Sequence, residues 1–83
     1  MLFKARVEVR LKLGHSDPEG ETTARSLKEL NYPVKDVTVG KMYSIILDAK
    51  SRDDARALTE EMCRRLLANP TKDNYTFQVE KTT

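Results

Sequence analysis

Eighty-three residues fit one domain, and a single cysteine, Cys63, with a single histidine, His15, excludes an internal disulfide and a self-contained Cys/His zinc site. Fifteen Lys plus Arg against thirteen Asp plus Glu leave a formal charge of +2, too slight to demand a polyanionic partner. No apolar run approaches the roughly 18 residues of a membrane span, so the expectation is one cytoplasmic domain over residues 1–83, with neither nucleic acid nor membrane as partner.

The first element is "FKARVEVRLKL", residues 3–13, which puts Phe3, Ala5, Val7, Val9, Leu11 and Leu13 on one parity and Lys4, Arg6, Glu8, Arg10 and Lys12 on the other. A side-chain period of two predicts a strand with one face buried and one solvated. The basic parity would suit RNA, but a sheet that reads RNA stacks bases on exposed aromatics, and Phe3, Tyr43, Tyr75 and Phe77 all share the inward parity. An RNA-binding ferredoxin-like module is therefore the second reading, and a ligand-binding regulatory domain the third.

"HSDPEGETT", residues 15–23, collects His15, Asp17, Glu19 and Glu21. Acid–base or metal chemistry would need these groups to converge on a pocket. Helix-start chemistry explains them more simply: Ser16 or Asp17 caps, Pro18 takes the first helical position, and the glutamates favour the positive end of the dipole. The helix is predicted from Pro18 to Leu30, ended by Asn31 and Pro33. Gly20 shares a face with Ala24 and Leu27, where a missing side chain admits a close neighbour; it is a candidate subunit contact.

Residues 34–49, "VKDVTVGKMYSIILDA", are rich in strand formers. A two-residue hairpin at Gly40 and Lys41 would send Met42, Ser44, Ile46 and Asp48 inward, whereas continuous extension sends Val37, Val39, Tyr43, Ile45, Leu47 and Ala49 inward. One long strand, bent or bulged at Gly40, is preferred, with a bulged hairpin as the alternative. About thirteen residues exceed the usual five or six. A strand that overhangs its sheet offers an edge to another chain, and Met42 and Ile46 on its outward face are the other candidate subunit contacts.

The second helix, residues 51–70, is capped by Ser51, carries Asp53 and Asp54 in its first turn and stops at Asn69 and Pro70. Its expected buried stripe is Ala55, Leu58, Met62 and Leu66, flanked by Cys63 and Leu67. Cys63 lies mid-helix with no orienting acid and reads as a buried thiol, not a nucleophile. The last strand, residues 74–80, turns Tyr75, Phe77 and Val79 inward. Strand, helix, long strand, helix, strand predicts an α+β two-layer sandwich with helices on one face of a sheet, a relative of ferredoxin-like folds. No catalytic residue, cofactor-binding loop or metal site emerges; three scattered glycines make no phosphate cradle. At this size a domain buries only roughly 60% of its unfolded surface, and oligomerisation is the support still open to the chain.

Taken together, "DPEG" at 17–20, "VKDVTVGK" at 34–41 and "EMCRRLLANP" at 61–70 resemble the PurS subunit family of phosphoribosylformylglycinamidine synthase. Lys12, Asp17, Pro18, Gly20, Val34, Asp36, Val37, Gly40, Lys41, Met62, Cys63, Leu66, Leu67, Ala68, Asn69 and Pro70 fit the pattern, while Ser16 stands where the family usually has an apolar residue. The resemblance implies a small non-catalytic subunit of a purine-biosynthesis ligase that makes formylglycinamidine ribonucleotide from formylglycinamide ribonucleotide, ATP and glutamine. It further implies two partners, a glutaminase subunit that releases ammonia and a larger synthetase subunit that activates the amide oxygen by phosphorylation. The complex would use ATP and magnesium, with no cofactor on this chain, which would bridge the two as a homodimer or dimer of dimers and help seal the ammonia route.

Overall fold

A computed structural model describes residues 1–82. Strand β1 (Leu2–Leu11) lies between β2 (Lys41–Asp48) and β3 (Asp73–Lys81) in an antiparallel sheet of order β2-β1-β3. Helix α2 (Arg52–Met62) packs on one face of it and helix α1 (Pro18–Glu29) starts at its end, giving the α+β class read from the sequence. The register places Val7 between Tyr43 and Phe77, and Ala5 between Ile45 and Val79, so one parity of all three strands faces α2.

The inward parity of β1 holds from Phe3 to Val9, all buried, and fails at its end. The strand stops at Leu11; Leu13 and Gly14 form a turn with Gly14 at φ 87, and Leu13 is fully exposed. Gly14 supplies a left-handed backbone that other residues adopt only at a cost, which is why the alternation cannot carry on through it.

Core side chains form two clusters: Phe3, Ala5, Ala49, Ala55 and Val79, then Val7, Val9, Cys63 and Ala68. The helical contribution is a line of small residues, Ala55, Thr59 and Cys63, each fully buried and spaced by four. The expected stripe of Leu58, Met62 and Leu66 is therefore displaced: Leu58 is 38% and Leu66 82% exposed. Small side chains let α2 sit close against the sheet, and the molecule is only 13 Å along its shortest principal axis. Thr59 is tolerated there because its hydroxyl donates to the Ala55 carbonyl at 2.8 Å, leaving no unpaired polar atom.

After Met62 the helix widens into a π-helical turn, Cys63–Leu67, closed by Ala68 N–H donating to the Cys63 carbonyl at 3.0 Å. Asn69, Pro70 and Thr71 then turn the chain into β3. The Asn69 amide donates to Asp73 Oδ2 at 2.8 Å, and Lys12 Nζ donates to the Pro70 carbonyl at 3.0 Å, tying this corner to the end of β1.

The long strand is corrected. Only Lys41–Asp48 joins the sheet, with its parity as expected: Tyr43, Ile45 and Leu47 half-buried, Ala49 buried, Met42 and Ile46 exposed. No hairpin forms at Gly40 either. Residues 32–40 run without turn or bend and belong to no ladder. A strand is defined by its hydrogen-bonded neighbour; with Val9 opposite Lys41, β1 ends at Leu11, level with residue 39, so most of the segment has no neighbour in the single chain.

Candidate subunit interface

The residues that carry most of the family pattern meet at one end of the sheet, where α1 and residues 32–40 leave it together. Asp17 joins them. Its carboxylate caps α1 by accepting from Gly20 N–H at 3.0 Å through Oδ1, and it accepts from Val39 N–H at 2.9 Å through Oδ2. One side chain thus closes the helix start and fastens the returning segment 22 residues on. Ser16, the other cap candidate, is exposed and plays no part in the cap.

The close neighbour that Gly20 admits is its own chain. A Cβ there would collide with the Asp17 carboxylate and with the Val37 carbonyl oxygen. Gly40 makes the second close approach: a Cβ would lie 2.8 Å from the Val9 carbonyl and 3.2 Å from Arg10 Cγ. The two glycines let the returning segment pass first against α1 and then against β1 as it enters the sheet. Beyond Gly20, α1 buries only Ala24 and joins neither core cluster. It ends in a Schellman motif: Asn31 at φ 69, Asn31 N–H donating to the Lys28 carbonyl at 2.9 Å and Tyr32 N–H to Leu27 at 3.1 Å.

What this arrangement leaves open is backbone. Within residues 33–40 the hydrogen bonds of the main-chain amides are Val34 to the Tyr32 carbonyl, Val37 to Asp36 Oδ1 and Val39 to Asp17 Oδ2. The free edge of β2 continues into this segment, an unpaired row of donors and acceptors suited to accept another strand. On the opposite face of the sheet, Met42 and Ile46 are 54% and 59% exposed.

The acid–base candidates do not converge. His15, Glu19 and Glu21 are exposed, Asp17 has both oxygens engaged by amides, and among the described residues no group of three or more His, Cys, Asp or Glu is placed to hold a metal ion. Cys63 is fully buried; burial, and then the Glu60 carboxylate, push its thiol pKa up. Thiolate is the reactive form, so native protein at pH 8 is expected to label with a thiol reagent at least roughly 100-fold more slowly than unfolded protein. Equal rates would place Cys63 outside the core.

A polar contact missed in the sequence lies beside it: the Tyr75 hydroxyl donates to Glu60 Oε1 at 2.7 Å. That bond, reinforced by desolvation and the carboxylate's charge, raises the phenol pKa. With the folded pKa above the unfolded one, the bond contributes stability below about pH 10 and loses it as pH climbs through the raised value. Nothing in the residue spacing points to the pair, since α2 and β3 meet only in the fold.

Residues 4–81 match the family described as PurS, phosphoribosylformylglycinamidine (FGAM) synthase. The PurS subunit of Methanocaldococcus jannaschii is 41% identical over 81 residues, spanning 96% of this chain and 98% of that protein. Its crystal structure superposes with a TM-score of 0.87, covering 98% of this chain and 99% of that one. Thermus thermophilus PurS, 31% identical, gives a TM-score of 0.91 with both chains fully covered. A chain of the PurLQS structure from Thermotoga maritima, also 31% identical, gives 0.88 over 96% of this chain and 99% of its own.

Proposed function

The chain belongs to the PurS family and is a subunit of phosphoribosylformylglycinamidine synthase, a ligase of purine biosynthesis; from that premise we propose that it works without an active site of its own, as a homodimeric connector between catalytic subunits. The observation that carries this reading is the segment 32–40, which runs off the end of the sheet with most of its backbone unpaired, fastened to α1 by Asp17. Extended backbone without a partner is held here in a defined path, as a connector requires and a solvent loop does not.

Two copies would pair antiparallel through these segments and the adjoining edges of β2, merging two three-stranded sheets into one. Met42 and Ile46, on the uncovered face, are assigned to contacts with further subunits. Gly20 acts indirectly, by fixing the segment that does the pairing.

The partners are a glutaminase that releases ammonia and an ATP-using synthetase that consumes it. The PurLQS structure of Thermotoga maritima is a precedent by its name for three components in one assembly. ATP and magnesium belong to the synthetase: the acidic cluster at 17–21 has its one part-buried carboxylate, Asp17, already occupied by two amides. No helix of the described residues is long and apolar enough to cross a membrane, and a cytoplasmic assembly suits this reading. Ammonia is protonated or lost in bulk water, so transfer between sites needs a sealed route, which a bridging dimer helps to close.

Reconstitution tests the proposal. Glutaminase and synthetase subunits mixed without this chain are expected to retain turnover driven by added ammonia and to lose most glutamine-driven turnover, which returns when the chain is added. Full glutamine-driven turnover in its absence would sink the bridging role.

A further inference from the structure

The sheet has a second open edge. β3 is the outer strand on the side away from β2, and nothing pairs with it beyond β1. Lys12 N–H donates to the Lys72 carbonyl and Thr82 N–H to the Leu2 carbonyl, so the even-numbered residues of β3 are the ones that bond to β1. Tyr75, Phe77 and Val79 therefore turn their N–H and C=O groups outward, as a row that a further strand can join.

Helix α2 runs along this edge and supplies its charge. It touches β1 and β3; the Arg56 guanidinium stands 5.7 Å from the centre of the Phe77 ring, and Glu60 accepts from the Tyr75 hydroxyl. Helix and strand run in step, since four helical residues rise about 6 Å and two strand residues about 7 Å, which puts Arg52 level with Val79. Arg52 and Arg56 are exposed and form no ion pair among the described residues. The carboxylates along the same edge are engaged, Glu60 by Tyr75 and Asp73 by the Asn69 amide.

These charges select against a second copy. Two β3 edges paired with each other would set two α2 helices two strand spacings apart, roughly 10 Å, which is packing distance. The arginine flank of each helix would then meet its like, and the inward residues Tyr75, Phe77 and Val79 offer no carboxylate in reply. A strand from a different chain has no such conflict.

We propose that the β3 edge and the Arg52 and Arg56 flank of α2 take an extended strand of a catalytic subunit that carries acidic side chains at two alternate positions, level with the two arginines. This rests on the connector reading and names the surface it uses. Main-chain bonds to Tyr75, Phe77 and Val79 supply the pairing, and the carboxylates fix its register and exclude neutral or basic strands. The two edges of the sheet thus divide the work: β2 for a second copy, β3 for a catalytic partner.

The test titrates full-length chain carrying Arg52→Glu and Arg56→Glu against the mixed glutaminase and synthetase subunits at low salt. The dissociation constant is expected to rise by about 10- to 100-fold over wild type, while the chain's own dimer constant in sedimentation stays within about 2-fold. The Arg52→Lys and Arg56→Lys chain, which keeps both charges, is expected to recover most of the affinity. In parallel, amide exchange proceeds in the wild-type assembly and is read by NMR on the chain separated from it. Exchange at Tyr75, Phe77 and Val79 is expected to be at least about 10-fold slower than in the dimer alone. An unchanged constant for the charge-reversed chain, or exchange at these three amides as fast in the assembly as in the dimer, would overturn the strand docking and leave the connector reading intact. A wild-type chain that binds neither catalytic subunit would overturn that reading, and the docking with it.

Discussion

Replacing Gly20 with alanine is expected to lower stability by about 3 kcal/mol, although the same change in an ordinary helix interior would raise it by up to about 1 kcal/mol. The sign is the diagnostic. A methyl group at Gly20 has no free space: it meets the Asp17 carboxylate on one side and the Val37 carbonyl on the other. To make room, α1 must shift from residues 32–40 or Asp17 must turn away, and turning away releases the amides of Gly20 and Val39 together. In a domain of this size the loss is a fall in melting temperature of roughly 12–24 °C, read by thermal denaturation at one fixed protein concentration, since dimerisation adds to apparent stability. Asp17→Asn should cost less, about 1–2 kcal/mol: one oxygen still caps, but the amide nitrogen then faces a second donor. Asp17→Ala in the Gly20→Ala background should cost less than the sum of the two, because it removes one of the two collisions. An unchanged or higher melting temperature for Gly20→Ala would mean that α1 and the returning segment are not held together as described.

The sequence was most informative where an element's neighbours are implied by its own pattern. The alternation of β1 and β3 located their inward faces, and the same parity rule placed Tyr43, Ile45 and Leu47 of β2, and Ala49 just beyond it, inward. It overreached at Leu13, where hydropathy continued past a turn that only the backbone of Gly14 declares. Residues 34–40 have strand composition, yet strand formation needs a ladder partner, which composition does not reveal and β1 is too short to provide. Asp17 was legible as a cap because capping is local. Its second bond, to Val39, joins positions 22 apart and left no trace in spacing. The motif residues Asp17, Gly20, Val37 and Gly40 were read in separate stretches, and their common purpose emerged only when the fold brought them to one corner.

The inward face of α2 shows how hydropathy misdirects, and it carries the second large expectation. Ala55→Leu is expected to cost about 3 kcal/mol, whereas Thr59→Val should stay within about 1 kcal/mol of wild type, both measured by chemical denaturation. Ala55 is fully buried among Phe3, Ala5, Ala49 and Val79, and a leucine there must push the helix off the sheet along its whole length. Valine matches threonine in shape; the hydroxyl it removes bonds to the Ala55 carbonyl, which keeps the helical amide of residue 59 as its partner. Leu58→Ala, on the outer flank, should cost the monomer little, since the side chain is 38% exposed. The opposite ranking, with Ala55→Leu tolerated and Leu58→Ala expensive in a monomer, would mean that α2 turns its leucines to the sheet. A helix that contacts its own sheet through Ala, Thr and Cys keeps Leu58, Met62 and Leu66 free for another chain. The same residue choice that makes this molecule thin leaves Leu58 and Leu66 exposed and available for assembly.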